Sequence, residues 1–157
     1  SSCSDKAYSF DFSVYNSGLS KWIRQDSLGN SGNALMAFTS SAAYFYPHSN
    51  SYTSLSGLKA AISNFPGLVS NGSVIVGNYT LTSAQYTKGT RGGIAVKGST
   101  VYLVVTRSAS VPDLANVMKA MGVTNALNLD GGGSSALYYN GYKVGPGRLL
   151  PNAVIFK

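Results

Sequence analysis

Three consecutive glycines, Gly131-Gly132-Gly133, follow directly on the apolar run Ala126-Leu127-Asn128-Leu129 and the carboxylate Asp130. This transition constrains the fold more than any other stretch. Each glycine weakens a helix by about 1 kcal/mol relative to alanine, so no helix continues through all of them. The short apolar run before them reads as a buried strand. The fold must therefore hold a carboxylate at the end of a strand and follow it with backbone free to take positive φ.

The rest of the chain is punctuated at similarly short intervals. Tyr8, Phe10, Phe12 and Val14 alternate with smaller or polar residues, the pattern of a half-buried strand. Further strands are expected at Asn33 to Phe38, Ala42 to Tyr46, Ser73 to Val76, Ala126 to Leu129 and Ala153 to Phe156. Gly93 to Val96 and Val101 to Thr106 form a hairpin around Lys97-Gly98-Ser99-Thr100. Leu137-Tyr138-Tyr139 and Tyr142-Lys143-Val144 bracket Asn140-Gly141, a dipeptide suited to the positive φ of a two-residue hairpin turn. Leu55, Leu58, Ile62 and Phe65 stand at helical spacing, with Pro66-Gly67 as a stop. A second helix opens at Val111-Pro112-Asp113, buries Leu114, Val117, Met118 and Met121, and ends at Gly122. These signals predict an α+β fold: a mostly antiparallel sheet with two main helices packed on it. No linker, charge block or repeat divides residues 1–157, which reads as a single domain.

Composition narrows the function. The longest apolar runs, such as Val101 to Val105, are too short to cross a bilayer as a helix. Charged residues make up only 11% while Ser, Gly, Tyr, Asn and Thr abound, a balance that points to an extracellular or cell-surface protein whose signal peptide is already removed. Asn71-Gly72-Ser73 and Asn78-Tyr79-Thr80 match the N-glycosylation pattern. The lone Cys3 has no internal partner, which leaves a free thiol, an anchor or a bond to another chain, and so a route to self-association. The net charge of +7 comes from Lys and Arg scattered from Lys6 to Lys157 without a cluster, which argues against a nucleic-acid groove.

The acids are scarce. There is no Glu, and the five carboxylates are Asp5, Asp11, Asp26, Asp113 and Asp130. His48 is the only histidine and follows Pro47 in a turn-like segment, so a Ser-His-Asp triad has little to draw on, and no Gly-x-Ser-x-Gly elbow is present. No grouping of His and Cys suggests a metal site, and no cofactor fingerprint occurs: the glycine run lacks the Gly-Lys-Ser/Thr ending of a P-loop and the spacing of a dinucleotide-binding turn.

The remaining candidate is the strand end itself. Asp130 is held by the strand, the glycines let backbone N–H groups approach a ligand, and Ser134 and Ser135 add hydroxyls for sugar or phosphate oxygens. Asn125-Ala126-Leu127-Asn128-Leu129-Asp130-Gly131-Gly132-Gly133-Ser134-Ser135, followed by Tyr139-Asn140-Gly141, resembles the phosphodiester glycosidase family. Thr90-Arg91-Gly92-Gly93-Ile94-Ala95-Val96 looks like the Arg-containing strand of that family, and Gly147-Arg148-Leu149-Leu150-Pro151-Asn152-Ala153 like its closing stretch. The resemblance covers residues 67–157. The family's Asn-Gly-Gly-Phe-Phe-like stretch is matched to Ala37 through Phe45, where Tyr44-Phe45 keep the aromatic pair but the Asn and glycines are missing.

The resemblance implies attack on the bond between a sugar and a phosphate, with a glycan or sugar phosphate as partner. Arg91 and Arg148 would fork onto phosphate oxygens. Asp130 would serve as base, nucleophile or stabiliser of an oxocarbenium-like state. Asn128, Gly131, Gly132, Ser134, Ser135 and Asn152 would hold the substrate. A secreted hydrolase is the favoured reading. The alternatives are a glycan-binding module without turnover and a self-assembling extracellular subunit on the same fold.

Overall fold

The structure is a computed structural model that describes residues 11–150 and 152–156. Two five-stranded sheets and a two-stranded ribbon make up the fold, and every strand pairing in them is antiparallel. The first sheet contains β1 (Val14–Asn16), β2 (Lys21–Ile23), β3 (Ala34–Phe38), β4 (Ala43–Tyr46) and β5 (Ala60–Asn64), in the order β2-β1-β5-β3-β4. The second contains β6 (Gly67–Ser70), β7 (Ser73–Val74), β8 (Gly89–Lys97), β9 (Thr100–Ala109) and β10 (Asn125–Leu129), in the order β7-β6-β10-β8-β9. The ribbon pairs β11 (Leu137–Tyr138) with β12 (Tyr142–Val144). A four-residue helix α1 (Ser83–Tyr86) precedes β8, and α2 (Val111–Ala120) joins β9 to β10.

Burial explains the apolar runs. Along β3, Ala34 and Met36 face a core shared with Ile94, Val96 and Leu127 of the second sheet, while Leu35 and Ala37 face a separate cluster with Leu28 and Ala61. A strand covered on both faces has no position for a polar residue, hence the unbroken Ala-Leu-Met-Ala-Phe. The far face of the second sheet is covered by α2, whose Leu114, Ala115 and Met118 are fully buried against Ala95 and Ala126.

Helix α2 forms where expected because its ends are specified locally. The Ser110 side chain accepts from the Asp113 N–H, the Asp113 carboxylate accepts from the Ser110 N–H, and Pro112 sits in the first turn.

The expectation of two main helices on one sheet is overturned: α2 is the one helix of seven or more residues among the described residues, and there are two large sheets. The stretch Leu55 to Phe65 is not helical. Gly57 takes φ +71, which breaks a helix, and Ala60–Asn64 is β5, paired with β1 on one side and β3 on the other. Leu55 and Leu58 pack on the outer cluster from a loop, while Ile62 and Ala61 point to opposite faces of the strand. Helical spacing was satisfied by a loop and a strand in succession. Ala153 to Phe156 is irregular rather than a strand, with Ile155 74% and Phe156 59% exposed. The strand expected from Tyr8 begins only at Val14 within the described residues, and Cys3 lies outside them.

Candidate active site

Three side chains tie the end of β10 to the end of β5. The Asn128 side chain on β10 is buried and its Nδ2 donates to the Phe65 carbonyl at 2.9 Å, while its backbone N–H donates to the Pro66 carbonyl at 3.1 Å. This pins the turn after β5. Within that turn the Phe65 N–H donates to Asn64 Oδ1 at 2.7 Å, which fixes the amide and aims Nδ2 at Asp130 Oδ1, 3.3 Å away. Asn64 is 6% exposed, whereas Asp130 is open to solvent. A buried amide therefore orients an accessible carboxylate.

The glycine loop folds into a short 3-10 turn, Gly132–Ser134, with Gly132 at φ +58. The buried Ser135 hydroxyl donates to the Asp130 carbonyl at 3.3 Å and closes the loop on the strand end. The C-terminal segment lies against this loop: the Gly147 N–H donates to the Gly133 carbonyl at 2.9 Å. A Cβ on Gly147 would stand 3.1 Å from the Gly133 Cα, so two glycines permit the approach. That approach delivers Arg148, whose Nε donates to the Ser134 hydroxyl at 2.8 Å, with Nη2 also on that oxygen. The guanidinium is exposed and keeps free donors.

Asp130, Ser134, Ser135, Arg148 and Asn152 all line one open cleft of ≈1340 Å³ between the sheets, the ribbon and the C-terminal segment. Asp130 is the one carboxylate among the described residues that lines it. Asp26 pairs with Arg24 at 3.4 Å elsewhere on the surface, and Asp113 caps α2.

Other expected site residues are not on the cleft wall. Asn128 faces the turn after β5, and its Oδ1 is buried without a hydrogen-bond partner among the described residues. Arg91 Nη2 donates to the Ala84 and Thr87 carbonyls at 2.6 and 2.8 Å, at the C-terminal end of α1. Its Nη1 lies beside Gly131, where a Cβ would come within 2.5 Å of it and 3.0 Å of the Thr90 carbonyl. Gly131 thus gives Arg91 room, and Gly131 and Gly132 do not line the cleft. Sequence reasoning missed Asn64. It ends β5 and precedes Phe65, in a stretch whose spacing reads as helical, so no local signal marked it. The stretch Ala37 to Phe45 forms the β3–β4 hairpin, with Phe45 packed between the sheets.

Comparison with known proteins gives this geometry a context. The phosphodiester glycosidase family model matches residues 12–157. The chain belongs to the phosphodiester glycosidase family. Among solved structures, it is similar to the catalytic domain of zebrafish N-acetylglucosamine-1-phosphodiester alpha-N-acetylglucosaminidase auto-inhibited by its pro-peptide, with a TM-score of 0.64 and 19% identity. That match covers 85% of this chain and 50% of the zebrafish chain, so the chain spans about half the length of its structural relative. A hypothetical protein from Synechocystis matches more distantly, with a TM-score of 0.42 and 18% identity over 68% of this chain and 29% of its own. No curated protein matches. No helix among the described residues is long and apolar enough to cross a membrane.

Proposed function

We propose that this member of the phosphodiester glycosidase family is a secreted or cell-surface hydrolase that cleaves the sugar–phosphate bond of a sugar 1-phosphodiester. The observation that carries the reading is the sharing of one cleft by Asp130 and by the Arg148–Ser134 pair: a carboxylate oriented by a buried amide, and a cation with free donors beside a hydroxyl. Arg148 receives the phosphate oxygens and balances their charge. The anomeric C–O bond breaks, its electron pair leaves on the phosphate oxygen, and a water oxygen bonds to the anomeric carbon. A phosphomonoester and a free sugar result. Phosphate leaves without prior protonation, so no acid is needed on that side.

Glycosidases that form a covalent intermediate use a second carboxylate to activate water in the second step. With Asp130 the one carboxylate on the cleft wall among the described residues, a single displacement fits better, with Asp130 taking the proton of the attacking water. Asn152 and the Ser134 hydroxyl hold the sugar. Replacing Asp130 by Asn keeps shape and removes the base. Release of free sugar from a panel of sugar 1-phosphodiesters is expected to fall by roughly 10² or more in D130N, as for loss of a general base. Turnover that persists in D130N would sink this assignment.

A second reading, binding without turnover, is favoured by the engagement of Arg91 with the Ala84 and Thr87 carbonyls, which leaves Arg148 as the phosphate-facing arginine of the expected pair. Native protein that binds the same diesters and releases no sugar would select it.

A further inference from the structure

The β11–β12 ribbon presents three tyrosines to solvent along the same cleft. Tyr138 is 69%, Tyr139 70% and Tyr142 64% exposed, although each ring is largely apolar. Tyr138 and Tyr142 stand edge to face at 5.3 Å, across the strand pair Tyr138↔Tyr142. The cross-strand Tyr138–Tyr142 pair steadies a two-stranded ribbon that is otherwise marginal, but that pairing calls for no third ring, and Tyr139 is as exposed as either. Cations border it. Lys143 lies on β12 and lines the cleft, Arg107 donates from β9 to the Lys143 carbonyl, and Arg148 follows on the C-terminal segment. Against these stands, among the described residues, a single cleft carboxylate, Asp130. The cleft volume of ≈1340 Å³ also exceeds the roughly 300–1,000 Å³ of a typical small-ligand pocket.

We infer that the ribbon is a subsite for the leaving-group side of the substrate, and that the substrate is an oligomeric glycan with phosphodiesters in its backbone rather than an isolated sugar phosphate. This deepens the function proposed above and rests on it for the position of the scissile bond. The division of labour follows from chemistry. A pyranose offers a flat C–H face that packs on an aromatic ring, so exposed tyrosines suit successive sugars. Each further phosphodiester brings one negative charge, which suits cations spaced along the wall better than one focused site. A neutral glycan would use the rings and leave the cations idle. A lone phosphate would do the reverse.

The test is binding, measured with D130N so that turnover does not consume the ligand. The probes are synthetic oligomers of one, two and four glucose 1-phosphate repeats joined by phosphodiesters, with maltotetraose as the neutral control, followed by calorimetry at two salt concentrations. Affinity is expected to rise at least tenfold from one repeat to four and to weaken with salt, and maltotetraose is expected to bind at least tenfold more weakly than the charged tetramer. Tyr138→Ser with Tyr142→Ser is expected to remove most of the gain with length, since an aromatic anchor at an interface is commonly worth about a factor of ten. Lys143→Gln is expected to reduce the salt dependence. Equal affinity for one and four repeats, or equal binding of maltotetraose, would overturn the inference. So would dimerisation through the ribbon, seen by sedimentation as a dimer that dissociates in the double Tyr variant without any effect of oligomer. Length-dependent binding by D130N together with no sugar release by native protein would leave the subsite standing and remove the hydrolase reading.

Discussion

Tyr79 illustrates how one side chain reports its surroundings. It is buried, its hydroxyl donates to the Pro47 carbonyl at 2.6 Å, and its ring meets Phe65 edge to face at 5.6 Å. Burial disfavours the phenolate and pushes the group up to about 12, against an ordinary value of 10.0. The neutral form is therefore favoured in the folded state. The resulting contribution is fully present below pH 10 and is lost as pH rises toward 12, because the unfolded chain releases its proton first. Tyr79→Phe is expected to cost about 1 kcal/mol at neutral pH, by leaving the Pro47 carbonyl without its donor, and to flatten the loss of stability above pH 10. Urea denaturation across that range reads both effects. Tyr52, raised by burial and by neighbouring Tyr46, retains part of the alkaline slope in the variant. An unchanged slope in Tyr79→Phe would rule out the assignment. Because Tyr79 packs on Phe65, which sits between Asn64 and the cis-linked Pro66, the same residue helps to fix the turn that aims Asn64 at Asp130.

At the scale of the element, α2 rests on its start. Ser110→Ala removes the hydroxyl that accepts from the Asp113 N–H and is expected to destabilise the protein by about 1 kcal/mol. Asp113 completes the box from the other side. Its hydrogen bonds from Ser110 hold the carboxyl below the ordinary carboxylate value, so its contribution is present above the unfolded-state value and is lost as pH falls through the folded one. Asp113→Asn is thus expected to be less stable than native at neutral pH, with the gap closing in acid. A gap that stays constant down to acid unfolding would contradict this. The helix was legible in the sequence because its determinants, Ser110, Pro112, Asp113 and the apolar Leu114 and Met118, are all local; Val117, expected on the buried stripe, is instead 40% exposed. The false helix at Leu55 to Phe65 shows the converse. Its spacing was helical, but Ala60–Asn64 gains more by completing the ladder between β1 and β3 than a stretch interrupted by Gly57 gains from helical bonds.

For the molecule as a whole, stability and site geometry share one support. Leu127 is fully buried between the sheets with Met36 and Ile94, on the strand that ends at Asp130. Leu127→Ala is expected to cost about 2–5 kcal/mol in chemical denaturation, the range for a buried leucine whose cavity collapses only in part. A change below 1 kcal/mol would mean that the two sheets are not packed on one another through this core. The partnership is long-range: Asp130 receives Asn64 from 66 positions away, and Arg148 reaches Ser134 only because Gly147 lies on Gly133.

Neighbouring residues alone specify the strand-to-glycine transition at Asp130, the hairpin of Gly93 to Val96 with Val101 to Thr106, the ribbon hairpin and helix α2, since none of these needs a distant partner. The sequence also carried the family resemblance, because that lies in contiguous motifs. Long-range packing settles that β5 is a strand, that two sheets rather than two helices on one sheet form the fold, that Asn64 reaches Asp130 while Asn128 faces the turn after β5, and that Arg91 faces the end of α1 instead of the cleft. The physical reason is common to all of these. Their free energy comes from groups far apart along the chain, and no window of neighbouring residues contains both partners.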